Sequence, residues 1–322
     1  MKASDETSHE TNAMRVSSNK DMATKNFLEL ATFAARMAPT FIERLSEENK
    51  RVTAPAPRCP TFHEWPQVGL HAAWLGHTTV YLSIDGFTIL TDPVFSSKIG
   101  INFGATIIGL KRIVEPAAQI SALPRPDLIL LSHAHMDHFD IPSLRRLANR
   151  ETTIITASST RDLLPRVSGY RATHELAWNE SIRVGPATIR AFEVRHWGAR
   201  MRTDVHRGYN GYLVEIGRFR LVFGGDTAHT DTFRALRTSK AVDLAIMPIG
   251  AYNPWIQAHC NPEQALAMAN DAGADFILPV HHKTFELGRE PRTEPIERLL
   301  RAAGPSPDRI VTREIGQEFH RF

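Results

Sequence analysis

Four side chains able to ligate a metal fall within six residues of this chain: His133, His135, Asp137 and His138, in the segment DLILLSHAHMDHFD from Asp127 to Asp140. With 15 histidines in 322 residues, three His and one Asp at fixed places in one window arise by chance in about one chain in a thousand. An apolar run ends at Ser132, so the four follow a strand end, where a loop presents side chains to one another. His133 and His135 alternate along an extended loop and project to one side. Asp137 and His138, a turn further on, face a second point nearby, and two adjacent divalent ions fit that arrangement. Imidazoles with carboxylates suit zinc, and also manganese or iron, whereas calcium calls for oxygen ligands throughout.

Four ligands do not complete two metal sites, and other strand ends supply further candidates. His196 follows the run to Val194, Asp226 follows LVFGG (Leu221 to Gly225), and His281 follows FILPV (Phe276 to Val280). The two glycines before Asp226 permit a close backbone approach. A single His beside an apolar strand is more often structural, but three such residues recur here at strand ends. Asp226 is the candidate for bridging both ions, because a carboxylate has two oxygens to share.

The elements that must position these residues are short apolar runs separated by Gly, Pro and Asp. Strands are expected at 71–74, 79–84, 88–91, 128–132, 153–156, 181–184, 188–194, 211–216, 218–223, 244–248 and 276–280. Helical stretches are expected at 142–149, 160–164, 230–237, 262–272 and 294–303, the fourth with Asn261 as its N-cap and Pro at its first position. Strands dominate early and strand-helix units follow, an order that suits an α/β sandwich of two sheets covered by helices.

The same segments resemble the metallo-β-lactamase superfamily: HAHMDH, the later His196, GGDT with Asp226, and VHHKTF with His281. WLGHTTVYLSIDGFTILTDPVF (Trp74 to Phe95), RHWGAR (Arg195 to Arg200), MPIGAYNPW (Met247 to Trp255) and HCNPEQA (His259 to Ala265) are similar to the branch containing N-acyl-phosphatidylethanolamine-hydrolysing phospholipase D and its bacterial relatives. The resemblance runs from about Trp74 to Phe285 and implies a four-layer αβ/βα sandwich with a dinuclear centre at one edge of the sheets. It implies His133, His135 and His196 on one metal, Asp137, His138 and His281 on the other, and Asp226 on both.

His282 and Lys283 stand where the family pattern has an aromatic residue and a glycine. Lys283 is read as a contact for an anionic substrate, and the departure points to a substrate smaller or more polar than a two-chain phospholipid. Asp92 in TDPVF is read either as orienting a metal ligand or as a turn cap. His77, His229 and His259 are further pocket candidates. Arg195, Arg200 and Arg202 are candidates for a phosphate, and Trp197, Tyr252 and Trp255 for an apolar portion or for rim packing.

Two divalent ions activate a bridging water and polarise a P=O or C=O oxygen, with Asp137 orienting the hydroxide or accepting its proton. The expected activity is therefore metal-dependent hydrolysis, most directly of a small-molecule or lipid phosphodiester. The metal centre by itself serves lactones and other carboxylic esters equally well. A third reading is a membrane- or partner-binding protein that retains a vestigial site.

Composition bounds these readings. Hydrophobic residues make up 42% and charged ones 23%, which excludes a wholly disordered chain. A net charge of +3 carries no basic stripe, so nucleic acid is not an expected partner. Two distant cysteines, Cys59 and Cys260, support neither a disulfide framework nor a zinc ribbon and fit a reducing, cytoplasmic compartment. Residues 1–25 read as a disordered tail. Apolar residues from Phe27 to Leu45 recur at helical spacing, an amphipathic extension over 26–50 that can pack on its own domain, meet a partner or touch a membrane surface peripherally. The hydrolase domain is then 51–322.

Overall fold

Short runs rich in Val, Ile and Leu become the strands of two sheets, because most are buried on both faces and so need no polar side. The structure is a computed structural model and describes residues 50–102, 107–166, 169–201 and 203–322. The chain divides into Met1–Arg51 and Val52–Phe322, and the description below concerns the second unit. The expected tail over 1–25 and helix at 26–45 lie outside the described residues. Among the described residues no helix is long and apolar enough to cross a membrane.

In chain order the strands are β1 (Leu70–Gly76), β2 (Thr79–Ile84), β3 (Phe87–Thr91), β4 (Lys98–Asn102), β5 (Ile107–Lys111), β6 (Leu128–Leu130), β7 (Thr153–Ala157), β8 (Ala172–Leu176), β9 (Ser181–Val184), β10 (Ala187–Phe192), β11 (Gly211–Ile216), β12 (Phe219–Phe223), β13 (Val242–Pro248), β14 (Ala274–Val280) and β15 (Glu318–Arg321). The α-helices are α1 (Ile141–Leu147), α2 (Pro262–Ala272) and α3 (Glu294–Ala303). A seven-stranded sheet runs β15-β1-β2-β3-β6-β7-β8, a six-stranded sheet runs β14-β13-β12-β11-β10-β9, and β4 pairs with β5 as a separate ribbon.

Parallel pairing decides where the loops collect. β3, β6, β7 and β8 run parallel in the first sheet, as do β12, β13 and β14 in the second. β10 shares their direction, because two antiparallel steps separate it from β12. The segments bearing Asp92, His133 to His138, His196, Asp226 and His281 therefore all leave strands by their C-terminal ends. Leu244 and Ile246 of β13 face the core between the sheets, while Ala245 and Met247 face α2 through Ala265, Met268 and Ala269.

Helix α2 begins and ends as its sequence predicts. The Asn261 side chain accepts from Gln264 N, and Gln264 returns the bond to Asn261 N. Residues 161–166 and 231–236 form 3₁₀ rather than α turns. Strands β4, β5, β8 and β15 were not anticipated. β8 (ATHEL) and β15 (EFHR) are polar and lie at sheet edges, and Gly100 and Gly109 interrupt the apolar runs of the ribbon. Those glycines face each other across the ribbon, where a Cβ on Gly109 would stand 1.9 Å from the Ile99 carbonyl oxygen.

Leu278 in β14 is fully buried just before His281. Leu278→Ala is expected to lower unfolding stability by about 2–5 kcal/mol, read as a lower urea midpoint at unchanged slope.

Candidate metal centre

At the shared edge of the sheets, backbone and side chains from both zip together. Asn210 N donates to Ser132 O at 2.9 Å, and the Tyr212 hydroxyl donates to Leu131 O at 2.9 Å. Gly225, at φ +57°, is needed here, because a Cβ would stand 2.8 Å from Ser132 Cβ. The turn that follows carries Asp226 to within reach of the His133–His138 loop.

Two groups of ligand-type atoms result. His133 Nε2 lies 2.8 Å from His135 Nδ1, which lies 3.3 Å from His196 Nε2. Beside them Asp137 Oδ2 stands 3.4 Å from His138 Nε2 and 3.5 Å from His281 Nε2. Asp226 Oδ2 faces both groups, at 3.0 Å from His138 Nε2, 3.1 Å from His281 Nε2, 3.8 Å from His196 Nε2 and 4.0 Å from His133 Nε2. One oxygen, rather than the two expected, is turned to both groups. Oδ1 is buried with no hydrogen-bond partner among the described residues.

The donor set fits divalent ions on two observations. First, His138 Nε2 and His281 Nε2 approach Asp226 Oδ2 closely yet make no hydrogen bond, so these atoms converge on shared space rather than on one another. His133, His135, His196 and Asp226 each place one ligand atom within 4.8 Å of the others, and so do His77, Asp137, His138 and His281. Second, the carboxylates stay ionised among the imidazoles. Burial opposes ionisation of Asp137 and Asp226, but the adjoining imidazoles outweigh it and hold both well below the usual carboxylate range. Burial likewise opposes protonation of His138 and His281, yet Asp226 and Asp137 raise His138 well above its ordinary value and His281 to about 9. His133 and His196 are pushed well down, by burial first, and so present neutral lone pairs.

An outer ring of contacts aims these atoms. Asp92 Oδ2 lies 2.7 Å from His138 Nδ1, and Asp92 also accepts from Ser132 N at 2.7 Å and Ser132 Oγ at 2.5 Å. Ser132 Oγ lies 2.8 Å from His133 Nδ1, and Ala258 O lies 2.8 Å from His196 Nδ1. Each ring is thereby held at one nitrogen with the other turned inward. His77 Nε2 sits 3.0 Å from Asp137 Oδ2. His77, Asp92 and His281 hold positive φ of 51°, 31° and 64°, a backbone cost that clusters at this edge. Ser132 and Ala258 were missed in the sequence. Ser132 adjoins His133, but nothing there marks a backbone carbonyl such as that of Ala258.

Above the centre opens a cavity of about 280 Å³ lined by His135, Asp137, Trp197, Asp226, Ala251, Trp255, His259 and Leu287. The buried His259 brings an Nδ1 with no hydrogen-bond partner among the described residues to 3.8 Å from Asp226 Oδ2. Trp197 stacks on His196, with ring centroids 4.5 Å apart.

Several expected pocket residues lie elsewhere. Lys283 Nζ donates to Arg313 O at 2.8 Å, because a left-handed backbone at φ 59° directs it to the C-terminal segment. Arg195 is exposed and reaches Gln257, and Arg200 donates to the Ala134 and Phe139 carbonyl oxygens. Tyr252 donates to Glu294 at 2.7 Å, and His229 is exposed. Arg202 lies outside the described residues. His282 is buried and stacks on Trp74, serving as the aromatic it replaces. The argument from Lys283 and His282 for a small polar substrate therefore loses its basis.

Comparison with known proteins agrees with this geometry. Residues 88–282 match the family described as the Beta-lactamase superfamily domain. The mitochondrial N-acyl-phosphatidylethanolamine-hydrolyzing phospholipase D of Saccharomyces cerevisiae is 31% identical over 274 residues, covering 81% of this chain and 56% of its own length. N-acyl-phosphatidylethanolamine-hydrolyzing phospholipase D 1 of Caenorhabditis elegans is 30% identical, covering 80% of this chain and 76% of its own. Among solved structures, an isothiocyanate hydrolase from Delia radicum gut bacteria shares the fold at a TM-score of 0.62 and 18% identity, covering 78% of this chain and 98% of its own. With a four-layer α/β sandwich, a His and Asp cluster at its sheet edge and these relatives, the chain belongs to the metallo-β-lactamase superfamily, in the branch of the N-acyl-phosphatidylethanolamine-hydrolysing phospholipases D, and is a metal-dependent hydrolase of that fold.

Proposed function

We propose that the chain is a dinuclear phosphodiesterase of phospholipase D type. The observation that carries this reading is Asp226 Oδ2 facing two groups of ligand atoms on the floor of an apolar-walled cavity. In it, His133, His135 and His196 hold one divalent ion and Asp137, His138 and His281 the other, with Asp226 shared. Zinc suits these donors, and manganese or iron is the alternative.

Two such ions supply an activated water near neutral pH and polarise the phosphoryl oxygen. The chain's own residues do the rest. Asp137 lines the cavity and orients the attacking water, while His77 holds its carboxylate in place. His259, its pKa lowered to about 4 by burial, stays neutral and faces the substrate oxygens. Trp197, Trp255, Ala251 and Leu287 shelter an apolar alcohol portion.

One observation favours a second reading. No arginine or lysine is among the residues lining the cavity, and a neutral lactone or carboxylic ester needs none. The branch relatives support the phosphodiester, and a substrate panel separates the two.

Protein reconstituted with excess zinc or manganese is expected to hold about two ions per chain by elemental analysis, and a ceiling of one ion counts against the shared centre. Metal-loaded protein is expected to hydrolyse bis(p-nitrophenyl) phosphate. Asp226→Ala is expected to reduce this to background while circular dichroism shows a retained fold. Turnover of lactones with none of any phosphodiester replaces this reading by the second. Lys283→Ala is expected to leave KM within about twofold of wild type, and Trp255→Ala to raise KM more than it lowers kcat, because a wall contact binds ground and transition states alike.

A further inference from the structure

Arg200 stands four residues after His196 on the loop between β10 and β11, and its guanidinium is largely withdrawn from solvent. It forms no ion pair among the described residues. Its Nη1 instead donates to the carbonyl oxygens of Ala134 at 2.9 Å and Phe139 at 2.8 Å. Those two carbonyls bracket the loop that carries His135, Asp137 and His138, and Ala134 directly follows His133. A single nitrogen thus closes the ends of the first sheet's ligand loop and fastens them to the loop that supplies His196 from the second sheet.

The further course of that loop is pinned separately. Arg207 donates to Asp204 at 2.6 Å, to Ser159 O at 2.6 Å and to Asp162 Oδ2 at 2.9 Å, and Gly208 N donates to Ser158 O at 2.8 Å. Arg200 is therefore not needed to keep the loop against the domain as a whole. What it alone adds among these contacts is the spacing of the ligand loop.

We propose that Arg200 is a positioning residue for the metal centre, a carbonyl clamp that sets the relative placement of His133, His135, Asp137, His138 and His196. This rests on the reading of those residues as metal ligands. A cation so near a metal centre is electrostatically unfavourable, which argues that its geometry rather than its charge is what matters. Because one nitrogen makes both bonds, a lysine ammonium can stand in for it, and an apolar side chain of similar length cannot.

The test compares Arg200→Met and Arg200→Lys with wild type by zinc affinity in competition with a chromogenic chelator, by the visible absorption of the Co(II)-substituted proteins, and by the urea midpoint of the metal-free proteins. Arg200→Met is expected to weaken zinc binding about tenfold to a hundredfold and to shift the Co(II) ligand-field bands, at a metal-free midpoint close to wild type. Arg200→Lys is expected to recover most of the affinity and the wild-type bands. Zinc affinity and Co(II) spectra unchanged in Arg200→Met overturn the proposal. Should Arg200→Met fail to fold, Arg200→Lys and Arg200→Gln decide: bands and affinity that follow the loss of the clamp in Gln but not in Lys support it, and equal values in both overturn it. A wild-type protein that binds no zinc or cobalt overturns the metal-centre reading instead, so the two failures are distinguishable.

Discussion

The organising constraint of this protein is that ring nitrogens and carboxylate oxygens are driven together at a buried point where several of them are left without a hydrogen-bond partner among the described residues. His133 Nε2 and His135 Nδ1 stand at 2.8 Å, close enough to share at most one proton, and His138 and His281 approach Asp226 without a hydrogen bond to it. Left to themselves such groups would turn to water or to separate partners. They are held in place because each ring is caught from behind, His138 by Asp92, His133 by Ser132 and His196 by Ala258. The positive φ of His77, Asp92 and His281 adds further cost to the same edge. The sheets supply the rigidity that sustains it.

Much of this was legible in the sequence, for identifiable reasons. Strands buried on both faces announce themselves as largely apolar runs, so β2 and β11 begin and end where the pattern places them. Helix α2 is marked at its start by Asn261 and Pro262. The seven candidate ligands were legible because each lies within a few residues after such a run. What escaped the sequence depends on side-chain direction. Lys283 adjoins two histidines, but its backbone conformation turns it to Arg313, and Arg200 spends its donors on carbonyls that no residue type reveals. Edge strands β8 and β15 escaped because half-exposed strands need no apolar run.

The division of labour in the cavity follows from those two departures. With no arginine or lysine among the described residues lining the cavity, negative charge on a substrate would meet the metal centre and imidazoles such as His259, while Trp197, Trp255 and Leu287 form its apolar wall. Charge recognition and chemistry then fall on the same few atoms. The apolar walls are left to discriminate by size and shape.

The zip between Asn210 and Ser132, with Tyr212 reaching Leu131, joins the two sheets at this edge by few bonds. The candidate ligands come from both sides of that seam: His133, His135, Asp137 and His138 from the first sheet, and His196, Asp226 and His281 from the second. An ion held by these residues would also be a rivet across the domain, absent from the unfolded chain, and would stabilise the native state by an amount that grows with free metal concentration. The survival of the folded protein under heat or proteolysis would then be a gauge of metal supply.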